Sequence, residues 1–287
     1  MRHPHPFTSI ISLAEPSEIR KLGSKPIHPA FKSINHRPWP LPNKAWVWQQ
    51  SWLDLVFLHY RVSAQEVRKL LPPEVKLQEF DGSAWVGVVP FRMAGFTRRP
   101  PLDIPLLRSF PELNLRTYVE VDGKPGVWFF SLDADNWPIV LVGKGIYNLP
   151  YFKANIKLEE QDGWFECTSS RRRGDIGFKA RYRPIGDPFI AESGSIESWA
   201  TERYCLYSQS RKGDIYRVEV QHVPWPLQQA EAEIETCDLL SAAGISPLDP
   251  NAVCHYSAGV QVVSYPQVNT SEVMELSPAV VENPSVG

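Results

Sequence analysis

Twenty-seven prolines are spread through these 287 residues, and that spacing limits the fold more than any other feature. Proline has no backbone donor and its ring clashes with the preceding helical turn, so long helices are disfavoured where it recurs. Strands accept it at their ends and edges. The expected class is α+β but mainly β, with many short strands and a few short helices.

Local periodicity agrees. LNLRTYVEVD (113–122) alternates Leu113, Leu115, Val119 and Val121 with Asn114, Arg116, Tyr118 and Glu120, the period of an amphipathic strand. Asp122-Gly123 predicts a tight hairpin into GVWFFSLD, and Asp162-Gly163 another between YFKANIKLEE and WFECTSSRR. In SAWVGVVPFRM (83–93), Trp85, Val89, Phe91 and Met93 share one face. In YFKANIKLEE, Phe152, Ala154, Ile156 and Leu158 alternate with Tyr151, Lys153, Asn155 and Lys157, and the first set is expected to face the core. Ser63-Ala-Gln-Glu66 reads as a capping box opening a helix that runs to Pro72-Pro73. A second short helix is expected from a cap at Asp135 or Asn136, with Pro138 in its first turn, to about Tyr147. Further strands are expected over 177–183, 204–208, 215–222, 227–235 and 255–264, with short helices near 198–203 and 238–243.

The organisation expected is an extended proline-rich arm over 1–40, one domain over 41–265 and a mobile tail over 266–287. A formal net charge of −2 provides no field for gathering nucleic acid or anionic membrane. The Arg171-Arg172-Arg173 run reads as solvated surface. No run approaches the roughly eighteen apolar residues of a membrane helix, and the N-terminal apolar stretch is too interrupted for a signal peptide. Cys167, Cys205, Cys237 and Cys254 lie far apart, which excludes zinc-ribbon and thioredoxin spacings. Reduced thiols in the cytoplasm are the simplest reading. No glycine-rich phosphate loop and no metal-ligand spacing are present, so no cofactor is expected. The partner expected is a small molecule. A homo-oligomer is left open.

Six phrases, in order, carry a resemblance: HRPWPLP, WLDLVFLHYRV, GSAWVGVVPFRM, ELNLRTYVEVDGKPGVWFFSLDA, YNLPYFKANI, and ERYCLY followed by VEVQHVPWPLQQA. Together, from about residue 36 to about 263, they resemble the YqjF-like family, which is uncharacterised and related to acetoacetate decarboxylase. That resemblance implies a mostly antiparallel sheet closing into a barrel around a central cavity. In the decarboxylase, a GRExxGYPKKxA segment places in the cavity a lysine that forms a Schiff base, with a neighbouring lysine to lower its pKa. The matching segment here runs from Gly143 to Ala154 and keeps Gly143, Pro150 and Ala154 in register. Tyr151 and Phe152 stand at the two lysine positions. The nucleophile and its activator are both gone.

Candidate site residues follow. Glu112 is the best match to a cavity glutamate of the decarboxylase, and Arg116 suits a carboxylate because its planar fork binds two oxygens. A structural Glu–Arg pair is the alternative. Lys153, two residues from Tyr151 on the same strand face, is either a displaced nucleophile or a solvated side chain. His59, inside an apolar strand, is a general base near neutral pH or a core histidine. Tyr147, Tyr151 and Tyr204 offer phenol donors and ring walls, or pack in the core. Two functional readings stand: an acid–base enzyme of lyase or hydratase type acting on a small oxygenated organic acid, and a module that binds such an acid without turnover. A scaffold is the third and weaker one.

Overall fold

The computed structural model describes residues 28–99 and 109–271. Its first strand, β1 (Trp48–Val62), leads into α1 (Ala64–Lys69), a short β2 (Lys76–Leu77), and the long β3 (Ala84–Arg98) and β4 (Ser109–Val121). Next come β5 (Lys124–Ala134), α2 (Trp137–Gly145), β6 (Tyr151–Gln161), β7 (Trp164–Arg171) and β8 (Gly177–Phe189). The chain finishes with α3 (Ile196–Thr201), β9 (Cys205–Gln209), β10 (Ile215–Gln221), β11 (Leu227–Cys237), α4 (Leu239–Ala242), β12 (Val253–Ser264) and β13 (Val268–Asn269). The chain is mainly β with a few short helices, as the proline spacing leads one to expect.

Local chemistry explains the boundaries. Both expected hairpins form: Asp122-Gly123 and Asp162-Gly163 have positive φ at each residue (53° and 70°, 52° and 76°). That is the backbone a two-residue turn needs to match strand twist. Asn136 caps α2 by accepting from the Ile139 amide. Ser63 caps α1, accepting from the Glu66 amide at 3.4 Å. The Glu66 carboxylate, however, reaches across to the Ser246 amide, and α1 ends at Lys69 rather than at the proline pair. Arg68 stops it: its guanidinium donates to the carbonyls of Val75 and Pro72 at 2.5 and 2.6 Å, folding the chain back.

Strand pairing positions the site. Antiparallel neighbours run β6-β7-β8-β11-β12-β1-β3-β4-β5, and β5 then pairs in parallel with β6, so the run returns to its start. The sheet also forks twice. At one end of β5, Leu132–Ala134 pair with β6, while Val127 and Trp128 pair with β9. Strand β12 likewise meets β11 near Ser257 and β10 near Ser264. A second circuit of pairings therefore runs β5-β9-β10-β12-β1-β3-β4.

Two apolar cores lie on opposite faces of the shared strands. Leu113, Leu115, Val119 and Val121 join one, with Val86, Val88, Ala154, Ile156 and Leu158. Trp85, Val89, Phe91, Met93, Tyr118 and Tyr151 join the other. Phe152 departs from expectation: it lies one pleat beyond the Ala154 core, is 39% exposed, and is covered by the Arg171 guanidinium at 4.0 Å. Within the expected arm, residues 28–40 pack on β10, where Arg37 donates to Glu219 at 2.8 Å and Gln221 donates to the Ala30 carbonyl at 2.9 Å. The arm before residue 28 and the tail after 271 lie outside the described residues.

Candidate functional site

The site begins with the alternation of β4. Its apolar residues go to one core, so Glu112, Asn114 and Arg116 all turn to the other face. There they line a pocket of about 90 Å³ together with Val89, Phe91 and Met93 of β3. Asp54 adopts left-handed backbone (φ 55°), and Trp52 and Leu55 on either side of it both line the same pocket.

Tyr151 opens β6 and projects into this pocket. Its ring fits because residue 143 of α2 is glycine: a Cβ there would lie 2.3 Å from the Tyr151 Cδ2 atom. The Tyr151 hydroxyl donates to Glu112 Oε2 at 2.9 Å. Burial pushes the Glu112 carboxyl up to about 8, opposed by the Tyr151 bond and assisted by nearby Asp133. Burial and the adjacent Glu112 together hold the Tyr151 phenol well above its ordinary value. At neutral pH this pair is a carboxylic acid and a phenol, with the carboxyl poised to lose its proton just above neutrality.

Two guanidinium groups line the same pocket. Arg116 lies 5.5 Å from the Phe57 ring and 5.9 Å from that of Tyr118. Arg203 lies on the other side, 5.2 Å from Tyr118 and 4.6 Å from Trp199. Arg203 donates to the Trp199 carbonyl and to Gln78. Neither arginine has a carboxylate partner among the described residues. Arg116 Nε and Arg203 Nη2 are buried without a hydrogen bond, as are Trp52 Nε1, Asn114 Oδ1 and His222 Nε2. All five residues line the pocket. Buried polar atoms are nearly always paired, so a cluster of orphans around one cavity marks a place for a ligand or ordered water. Two cations and a neutral acid favour an anionic ligand.

The other expected residues fall elsewhere. His59 is buried one step further along β1, against Phe57 and Tyr118, and does not line the pocket. Burial, then Arg116 and His255, hold it well below its ordinary value, so it is neutral. Lys153 pairs with the Asp135 side chain and donates to the Asp135 carbonyl at 2.7 Å. It does not line the pocket. Tyr204 donates to Glu202 and stacks on His222 at 4.8 Å, outside the lining. Tyr147 lines a second, adjoining cavity.

Residues 49–261 match the family model DUF2071, described as an uncharacterized conserved protein. The chain is 40% identical over 227 residues to the uncharacterized protein YqjF of Bacillus subtilis (strain 168), covering 79% of this chain and 93% of that one. The chain belongs to the DUF2071 family. Among solved structures, acetoacetate decarboxylase from Legionella pneumophila is similar at a TM-score of 0.58 and 14% identity, over 85% of this chain and 96% of that one. The enduracididine biosynthesis enzyme MppR complexed with pyruvate is similar at 0.58 and 13%, over 82% and 94%. These likenesses show an acetoacetate decarboxylase-like fold for this DUF2071 member.

Sequence reasoning missed Arg203, Asn114 and Trp52 as site residues. Asn114 was legible, since it shares a face with Arg116. Arg203 sits between α3 and β9, where no period applies, so only the fold brings it to the pocket.

Proposed function

We propose that the closed run of strands is a barrel around a ligand cavity, and that the cavity binds a small oxygenated organic acid. Arg116 receives the carboxylate, and Glu112 and Tyr151 handle a proton beside the substrate oxygen. One observation carries this reading: the cavity presents guanidinium groups with unpaired donors, and Glu112, the one carboxyl lining it among the described residues, is protonated at neutral pH. A bound carboxylate supplies the missing charge and fills the empty donor positions. The pyruvate complex of the structural relative MppR supports an acid of this kind.

The chemistry open to the pair is acid–base. Protonated Glu112 gives a proton to a developing oxyanion or leaving hydroxyl, and the phenol of Tyr151 donates a hydrogen bond to the same oxygen. Hydration, dehydration or enolisation next to a carbonyl fits this set. Schiff-base decarboxylation does not: in the register that the resemblance implies, Tyr151 stands where the decarboxylase has its lysine, and Lys153 is held by Asp135. Binding without turnover is the second reading, favoured by that same loss of the nucleophile. The four free cysteines support work in the cytoplasm.

Titration calorimetry with pyruvate, lactate, acetoacetate and fumarate tests the reading. Binding of at least one acid is expected, weakened in Arg116→Ala and retained in Glu112→Gln. Turnover lost in Glu112→Gln identifies an enzyme. Acids that bind equally well to both variants and to the parent protein sink the assignment of this pocket.

A further inference from the structure

The second cavity, about 100 Å³, adjoins the polar pocket and shares Met93, Leu149, Tyr151 and Leu206 with it. It sits at the fork where β6 and β9 part company on β5, a wedge roofed by α2. Ile139, Val142 and Gly143 of α2 line it, opposite Phe96 of β3 and Trp48 of β1. Parallel strands that diverge from one neighbour leave a gap that no ladder hydrogen bond fills, and here only side chains close it.

The two compartments differ in their polar atoms. In the second, Trp48 Nε1 donates to Tyr147 Oη at 2.6 Å and Ser208 Oγ donates to the Tyr147 carbonyl at 2.7 Å, which leaves the Ser264 hydroxyl as the lining group still open to a partner. None of its lining residues carries a buried side-chain polar atom without a partner, whereas the first pocket has five such atoms. A polar ligand finds at most the Ser264 hydroxyl in the second compartment; an apolar one loses no hydrogen bond to enter it. Tyr151 stands between them, its hydroxyl on Glu112 and its ring flank forming a wall of both.

We propose that the ligand is an amphipathic monocarboxylic acid, with its carboxylate at the Arg116 and Arg203 end and a short aliphatic tail in the compartment under α2. This rests on the carboxylate reading of the polar pocket and adds the substrate class. The tail passes Tyr151, so the carbons nearest the carboxylate are the ones that meet the Glu112–Tyr151 pair.

The experiment is calorimetry on the full chain with acetate, butanoate, hexanoate and octanoate. Affinity is expected to rise about fourfold per methylene until the compartment is full, and then to level off. Val142→Phe and Ile139→Phe each fill the wedge, so the affinities of hexanoate and acetate converge; Ile139→Ala enlarges it and extends the rise towards octanoate. Thermal unfolding confirms that each variant is folded, and two independent filling variants guard against one that is not. Arg116→Ala weakens the whole series. A flat series that still depends on Arg116 overturns the tail and leaves the carboxylate site standing. A rise with length that both filling variants leave unchanged also overturns it, because the tail then lies elsewhere. No binding by any of these acids overturns the tail, and the pyruvate, lactate, acetoacetate and fumarate titrations then decide the carboxylate site separately.

Discussion

Arginines are used in two opposite ways in this molecule. On the outer face of β8 and β11, Arg181 meets Glu233 at 2.7 Å and Arg183 meets Glu231 at 2.6 Å, with Lys179 and Glu235 extending the ladder at 2.6 Å. All these side chains are about half exposed. In the pocket, Arg116 and Arg203 have rings around them and no carboxylate among the described residues. Exposed pairs exchange water for each other at little net gain and mainly keep an outer strand face polar. Arg203 is buried and Arg116 half-buried, and a guanidinium withdrawn from water without a counter-charge carries a desolvation cost that its cation–π contacts offset only in part. Buried arginines elsewhere do have carboxylate partners, Arg37 on Glu219 and Arg171 on Asp133, both at 2.8 Å, so the missing partners in the pocket point to function in the second region.

The comparison breaks first at Arg116. Its replacement by alanine is expected to weaken the acid bound there roughly hundredfold or more, the usual scale for removing one partner of a buried charge pair. Arg116→Met is expected to leave the ligand-free protein as stable or more so, since a half-buried guanidinium with an unpaired, buried Nε is removed. Denaturant unfolding with and without acid checks both outcomes. A ligand-free protein strongly destabilised by methionine makes Arg116 structural.

The next largest effect is a pH dependence. Glu112 has an ordinary value of 4.5 and is raised to about 8 by burial. The folded state holds this proton more tightly than the unfolded chain. The stability it contributes is therefore fully present below about 4.5 and is lost as pH rises towards about 8, with no further loss above. Glu112→Gln removes that slope, so its advantage over the parent protein is expected to reach on the order of a few kcal/mol at pH 9. Denaturant midpoints at pH 5, 7 and 9 measure it. Parallel pH curves for the two proteins disprove the buried proton. Ligand affinity follows the same group: above pH 8 the ionised Glu112 repels the bound carboxylate, and glutamine flattens the decline.

A smaller effect is expected at Gly143. Alanine there places its Cβ 2.3 Å from the Tyr151 ring, so the ring must shift and its bond to Glu112 is strained. The cost expected is about 1–3 kcal/mol, with a change in the Glu112 titration that a merely local clash does not produce. The smallest effect belongs to the outer ladder. Arg181→Ala and Glu233→Ala, alone or together, are expected to leave both the unfolding midpoint and acid binding within repeat error.

The elements themselves were readable because their signals are local. Alternation in 113–122, the two Asp-Gly turns and the Asn136 cap each act within a few residues, and all appear where the sequence puts them. Glu112, Arg116 and Tyr151 were readable as candidates, the first and third through resemblance and the second through its chemistry. The structure brings these three to one pocket, with Tyr147 in the neighbouring one. Lys153, His59 and Tyr204 were attractive on type and neighbourhood, and the structure places them outside the lining. What sets them apart is the reach of a specific partner: Asp135 for Lys153, Glu202 for Tyr204, and the Phe57–Tyr118 packing around His59.

The sequence alone determined that this chain is mainly strands, where two of its hairpins turn, and that β4 has an apolar and a polar face; the short strands expected are instead long ones, with β1 and β3 running to 15 residues each. It did not determine that Glu112 and Asn114 on the polar face are buried. That depends on what lies over it, and the covering groups come from Trp52, Tyr151, Arg203 and Trp225, which are scattered over more than 170 residues of chain. Periodicity reports which side chains share a face, because strand geometry repeats every two residues. Which face meets water is decided only when distant strands pair, and in this protein that closure turned an ordinary amphipathic strand into the wall of a pocket.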